Sequence, residues 1–261
     1  MTRLAITRTG RVAELRLDRP DKRNAMDEAM MDALAEAGAA LAAEDGLSAV
    51  ILHGAGAAFC AGIDTALFAR FAADLGAVRA EMLAPPPGTP NRFQRPCTVW
   101  AGVPVPVIAA IHGQCFGAGM QLALGADFRI AAPDAQLSIM EAKWGLIPDM
   151  GLSQSLPRLM RADQALDLML TARVLTGTEA AAIGLVTRTA ADPLAEARML
   201  AARLAGVSPD VLRGCKALVA AAWHADPAAL RTEAAVQAAL LGGAHQMEAV
   251  AATLGRRPAS Y

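Results

Sequence analysis

The stretch VPVIAAIHGQCFGAGMQLALGAD, residues 105–127, carries most of the information about the fold. It opens on a nearly continuous apolar run, Val105 to His112, of strand length and rich in the β-branched residues that pack on a pleated surface. A glycine-bearing turn, Gly113 to Gly119, then leads into an apolar helical pattern. The whole segment from Pro96 to Ala126 has no charged residue and is long enough to cross a bilayer. Pro104, Pro106, His112, Gln114, Gln121 and five glycines interrupt it, so it reads as a buried strand, turn and helix, with no membrane span.

Upstream, residues 3–8 and 11–17 alternate apolar and polar about Thr9-Gly10, which predicts a hairpin. Met30, Leu34, Ala37 and Leu41 recur at helical spacing between Asp27 and Ala43, with Asn24 or Asp27 placed to cap the helix. Ser48 to His53 (SAVILH) is a second buried-strand run. Helical pattern follows to about Leu75, and APPPGTP at 84–90 reads as an exposed loop. Downstream, strands are expected at about 127–131 and 136–138, then a turn (WGLIPDMG, 144–151), helices to about Leu170, and a helix–strand pair through Ala180–Val186. From Pro193 the pattern is helical only: 193–205, 208–222, 227–241 and 244–254. These elements predict an α/β core over residues 1–195 and an all-helical region over 196–261, without a repeat of fixed period.

Composition excludes several classes. The 261 residues carry 24 Lys+Arg against 25 Asp+Glu, a net charge of -1, which argues against nucleic-acid binding through a basic field. With 54% hydrophobic residues and only 4% aromatics the interior should be helix-rich and tightly packed, and a chain this long buries roughly 72% of its unfolded surface. Cys60, Cys97, Cys115 and Cys215 form no C-x-x-C pair, which points to a reducing compartment and gives no metal site. The first twenty residues lack the apolar core of a signal peptide, so the expected location is cytoplasmic.

Familiar nucleotide and nucleophile motifs fail. Gly54-x-Gly56-x-x-Phe59 lacks the third glycine of a dinucleotide fingerprint, and neither a P-loop nor a G-x-S-x-G elbow occurs. His112 and Cys115, close in sequence, fit a structural turn better than a metal site. Two glycine-bearing turns remain, Phe59–Asp64 and Gly113–Gly119, each after a buried strand. Small residues admit a ligand to the backbone, and unpaired N–H groups at a helix start can cradle a developing negative oxygen; taken singly, each turn is better explained as an ordinary strand-to-helix turn. In the third segment, Ser138–Gly151, Glu141 and Asp149 stand eight apart among Met, Trp, Leu, Ile and Pro, an apolar setting that raises a carboxyl pKa toward acid–base use. Capping by Asp149 and an ion pair of Glu141 are the plainer alternatives.

Together with Arg19-Pro20-Asp21-Lys22-Arg23-Asn24-Ala25-Met26, these three segments resemble, in order and spacing, the crotonase (enoyl-CoA hydratase/isomerase) superfamily, and the likeness covers essentially the whole chain. The resemblance implies a spiral of ββα turns with a C-terminal all-helical trimerisation region, a homotrimer or dimer of trimers, and an acyl-CoA thioester as substrate with no permanently bound cofactor. It places the oxyanion hole at the N–H groups of Ile63 and Ala118, with Ala118 where the family often has Gly and Gly117 before it. Hydratases are similar to one another in carrying two glutamates; here the first of these positions is Gln121, which can orient but cannot exchange a proton at pH 7. Asp149 falls where the dienoyl-CoA isomerase branch carries an aspartate, so Glu141 plus Asp149 favours isomerisation over hydration. By the same resemblance Ala25, Ala61, Gly62, Ile63 and Asp64 line the coenzyme path, and Lys22, Arg23, Arg256 and Arg257 are candidate phosphate partners. Met140 and Trp144 are expected to wall the acyl pocket. An enoyl-CoA hydratase using Glu141 alone, and an acyl-CoA-binding or RNA-associated member without turnover, are the alternatives.

Overall fold

A computed structural model describes residues 2–86, 89–223, 243–245, 248, 251–252 and 255–261. Among the described residues nine strands occur, in chain order β1 (Leu4–Thr9), β2 (Val12–Leu17), β3 (Ala49–Gly54), β4 (Val107–Ile111), β5 (Gln114–Phe116), β6 (Phe128–Ala131), β7 (Gln136–Ser138), β8 (Leu175–Thr176) and β9 (Arg188–Thr189). β1 and β2 make the expected antiparallel hairpin, Leu4 opposite Leu17, with Gly10 at φ +55 in the turn. β3, β4, β6 and β9 then add in parallel, giving a six-stranded sheet in the order β1-β2-β3-β4-β6-β9. A second sheet has the order β5-β7-β8.

The two sheets share the chain turn by turn. β4 feeds the large sheet and β5 the small one, helix Ala118–Leu124 returns, and β6 and β7 repeat the step in parallel register. Ile108, Ala109, Ala110 and Ile111 are all buried, as a strand covered on both faces requires. Helix Glu28–Ala43 is capped by Asp27, whose carboxylate accepts from the Met30 amide at 2.9 Å, and it buries Met30, Met31, Leu34 and Leu41. The other capping candidate, Asn24, is fully buried and braces the loop instead: Oδ1 accepts from Arg19 N, and Nδ2 donates to Ala55 O and Ala58 O.

Helix Pro193–Ala205 runs across the boundary expected after residue 195 and lays Ala197 and Ala201 on a second apolar cluster with Ala49, Ile51, Ile108, Ala110 and Ile130. It is built into the α/β body through a face of small residues. The next helix, Pro209–Ala222, is tied down by Lys216, whose ammonium donates to Trp100 O and Val105 O and pairs with Asp127 at 2.6 Å. The expected helix 227–241, with Val236 and Leu240, and the residues Met247 and Val250 lie outside the described residues.

The structure corrects two expectations. The strand placed near 180–186 lies at β9, because Val186 N turns back to Ala180 O; the helix there is Gly177–Ala182, started by a Thr176/Glu179 capping box. The uncharged segment contains β5 as well as β4, between helix Arg95–Thr98 and helix Ala118–Leu124. Among the described residues no helix is long and apolar enough to cross a membrane.

Candidate active site

Backbone pairing sews the two glycine-bearing turns together. Cys60 N donates to Gln114 O and Phe116 N to Cys60 O, both at 3.0 Å, a parallel bridge between Cys60 and Cys115. Gly62 follows at φ +105; a Cβ there would lie 3.1 Å from Phe116 O and 4.0 Å from Ala118 N, so glycine lets the first turn lie against the second. Gly119 is equally constrained, since its Cβ would meet Cys60 O at 2.4 Å.

The same pairing aims the two amides. Met26 N donates to Gly62 O and Asp64 N to Met26 O, both at 2.8 Å. Met26 therefore holds the peptides on either side of Ile63, and by the alternation of an extended chain the Ile63 N–H points away from Met26. Gly117, at φ +49 and ψ -117, donates its own N–H to Ser138 O, so Ala118 becomes the first residue of its helix, where an N–H has no intrahelical acceptor. Neither the Ile63 nor the Ala118 N–H meets an acceptor among the described residues. Both residues line one cavity of about 140 Å³, with Ala61, Gly62, Gly117, Met140, Glu141, Trp144 and Asp149.

Glu141 starts a short 3-10 turn, Glu141–Trp144, and is only 9% exposed. Oε1 accepts from Gln121 Nε2 at 2.7 Å, and Oε2 is buried with no hydrogen-bond partner. Burial pushes its pKa up, the neighbouring Asp149 charge adds to this, and the hydrogen bond from Gln121 opposes it. Asp149 lines the same cavity although its residue as a whole is open to solvent, and burial of its carboxyl raises its pKa too. Gln121 itself is buried behind Glu141, accepts from Met150 N at 2.8 Å, and borders a second cavity of about 630 Å³ beside Cys97 and Gly151.

The buried carboxyl has a consequence for stability. Its folded pKa lies above the ordinary 4.5, so the folded protein holds the proton more tightly than the unfolded chain does. The stability this gives is complete below the unfolded pKa and is lost as pH rises through the folded one. Glu141→Gln is therefore expected to melt at a higher temperature than the wild type at pH 7 to 8, with the gap closing toward about pH 4. Thermal melts of both proteins across that range check this; a lower melting temperature for the variant at neutral pH would contradict it.

Other residues singled out in the sequence lie elsewhere. Asp64 does not line the cavity: Oδ1 accepts from Ala66 N and Oδ2 pairs with Arg19 at 2.7 Å. These contacts, the Ala66 hydrogen bond foremost, hold its carboxyl below the usual range. Lys22 and Arg23 are exposed beside the cavity wall, for Ala61 N donates to Arg23 O, and the Arg23 side chain donates to Gln114 Oε1 at 3.1 Å. The Ala25 carbonyl accepts from Arg19. Arg257 pairs with Glu248 at 2.6 Å and Arg256 is exposed. None of these, nor Gln121, lines the cavity, whereas Thr65, Phe116, Leu146 and Met150 do without having carried a chemical signal in the sequence. The His112 ring lies 2.9 Å from Gly56 O, and buried Cys115 contacts Met120. Among the described residues no cluster of three or more metal-ligating side chains occurs.

Two free main-chain donors and a buried carboxyl opening on one largely apolar cavity can hold an oxyanion and move a proton on an adjacent atom, the equipment of an enzyme that works through an enolate. Comparison with known proteins gives the family. The family model described as enoyl-CoA hydratase/isomerase matches residues 7–261, and the chain belongs to that family. The protein of Mycobacterium leprae (strain TN) named "Probable enoyl-CoA hydratase echA6" is 34% identical over 216 residues, 82% of this chain and 81% of that protein. The mitochondrial Delta(3,5)-Delta(2,4)-dienoyl-CoA isomerase of Rattus norvegicus is also 34% identical, over 220 residues, 78% of this chain but 64% of the longer rat protein. The crystal structure of an enoyl-CoA hydratase from Polaromonas sp. JS666 superposes with a TM-score of 0.88 at 29% identity, covering 99% of each chain.

Proposed function

We propose that this enzyme shifts double bonds along the acyl chain of an enoyl- or dienoyl-CoA. The thioester oxygen docks between the Ile63 and Ala118 amides. One carboxylate removes a proton from the carbon beside the carbonyl, the resulting charge gathers on that oxygen, and a proton returned at the far end of the conjugated system completes a net isomerisation. Glu141 and Asp149 are the two proton carriers. The observation that carries this reading is that both carboxyl residues line the cavity onto which the two amides open, while Gln121, which by the resemblance takes the place of a hydratase's second glutamate, holds Glu141 from behind.

A hydratase in which Glu141 alone activates water is the second reading, favoured by the hydratase names of the Mycobacterium leprae and Polaromonas proteins. Incubation with a 3,5-dienoyl-CoA, followed by the rising absorbance of the conjugated 2,4-dienoyl product, and with a 2-enoyl-CoA, followed by the falling absorbance of its conjugated double bond, separates the two. Isomerisation is expected, with Asp149→Asn lowering it by about a hundredfold or more. Hydration that survives Asp149→Asn, with no isomerisation in the wild type, would replace the first reading by the second.

Coenzyme A itself is a substrate here rather than a resident cofactor, with Lys22 and Arg23 beside the cavity wall as partners for its phosphates. A homotrimer or dimer of trimers belongs to the same proposal, supported by the exposed Leu166 and Leu170, one turn apart on helix Ala162–Thr171. Sedimentation as a monomer at micromolar concentration would contradict it.

A further inference from the structure

The Met150 main-chain amide can only donate, so the Gln121 atom 2.8 Å from it is the side-chain oxygen. The orientation of the amide follows from this: its NH2 group faces Glu141 Oε1 at 2.7 Å. An NH2 group has only hydrogens to offer, so Oε1 must act as acceptor. The donated hydrogen bond makes Oε1 the less basic of the two oxygens, which favours Oε2, the buried oxygen without a hydrogen-bond partner, as the site of a proton carried by Glu141. We propose that Gln121 is a positioning residue that gives the two oxygens of Glu141 different tasks, holding Oε1 in place and leaving Oε2 as the single atom that exchanges the proton.

The same amide anchors the backbone at Met150, next to Asp149, so one side chain registers both carboxyls against the cavity. The titratable groups near Glu141 are Asp149, from the following turn, and the buried thiol of Cys97, held protonated by burial first, then by the neighbouring Cys60 thiol and the two carboxylates. Lys143, two residues on, is exposed. A glutamate at position 121 could keep the bond from Met150 N but would set two carboxylate oxygens against each other, which a pair tolerates only by sharing a proton.

The inference rests on Glu141 as the proton-transfer group, yet its test needs no substrate. In protein with 13C-labelled glutamate carboxyls, the Glu141 signal is identified by its loss in Glu141→Gln and titrated in the wild type, Gln121→Met and Gln121→Glu. Gln121→Met removes the donor and is expected to raise the Glu141 midpoint by about one to two pH units. Gln121→Glu should raise it further and make the titration biphasic. A midpoint unchanged in both variants would overturn the proposal. Should neither variant fold, the side-chain NH2 resonances of wild-type Gln121 decide: they are expected to move with the Glu141 midpoint, and signals that stay fixed through that titration would refute the clamp. A midpoint that moves as expected in a protein without isomerase activity upholds the clamp and removes only the proposed reaction.

Discussion

Glu141→Gln is expected to lower kcat by about a thousandfold, within the range that a positioned acid–base group supplies. The substitution is nearly isosteric, and an amide oxygen at position 141 can still accept from Gln121 Nε2, so the local geometry is kept. What it removes is the capacity to take up and release a proton. Asp149, an exposed residue, is not expected to stand in for it, since Glu141 is enclosed beside Gly117, one residue before the Ala118 amide. KM should change little, since the substrate still has both amides and the apolar wall. The variant is also expected to be more thermostable at neutral pH, so lost activity together with a raised melting temperature separates a chemical defect from unfolding. Steady-state kinetics on the substrate that the wild type turns over gives the answer. Unchanged activity would mean that Glu141 is not the proton-transfer group of the reaction.

Ala118→Pro should cost about a hundredfold to a thousandfold in kcat, the loss measured elsewhere when one oxyanion donor is removed. Proline deletes the N–H and nothing else that the helix needs. Ala118 is the first residue of Ala118–Leu124, the position at which helices accept proline because the N–H there is unpaired in any case. The charge on the thioester oxygen grows toward the transition state, so the loss should fall on kcat more than on KM. Ala118→Ser, which keeps the N–H, is the control and should stay within a few-fold of the wild type. Proline and serine variants of equal activity would show that this amide takes no part in catalysis.

Elements with a run or a period of their own were legible in the sequence. β4 is an unbroken apolar run and β3 one up to His53, and helix Pro193–Ala205 shows its start in Asp192 and Pro193, whose cap the structure contains. β5 and β8, three and two residues long, exist only because they pair with β7, and no periodicity can show in so few positions. At the site, the glycine turns and the Glu141–Asp149 spacing stood out because glycine and carboxylate have few uses in an apolar setting. The fate of Asp64 turned on Arg19, 45 residues earlier in the chain, and the task of Gln121 on a backbone amide 29 residues later; such contacts are settled by the tertiary fold. Thr65, Phe116, Leu146 and Met150 gave no sign because they contribute shape, which is common to every buried side chain.

The central claim is that the amides of Ile63 and Ala118 share one oxygen atom of the ligand. A crystal structure with a saturated acyl-CoA, which cannot be isomerised, measures this directly. The thioester oxygen is expected about 2.7–3.1 Å from both nitrogens, with Glu141 Oε2 facing the adjacent carbon. An oxygen bound to only one of these amides, or turned away from both while the acyl chain fills the cavity, would contradict the account.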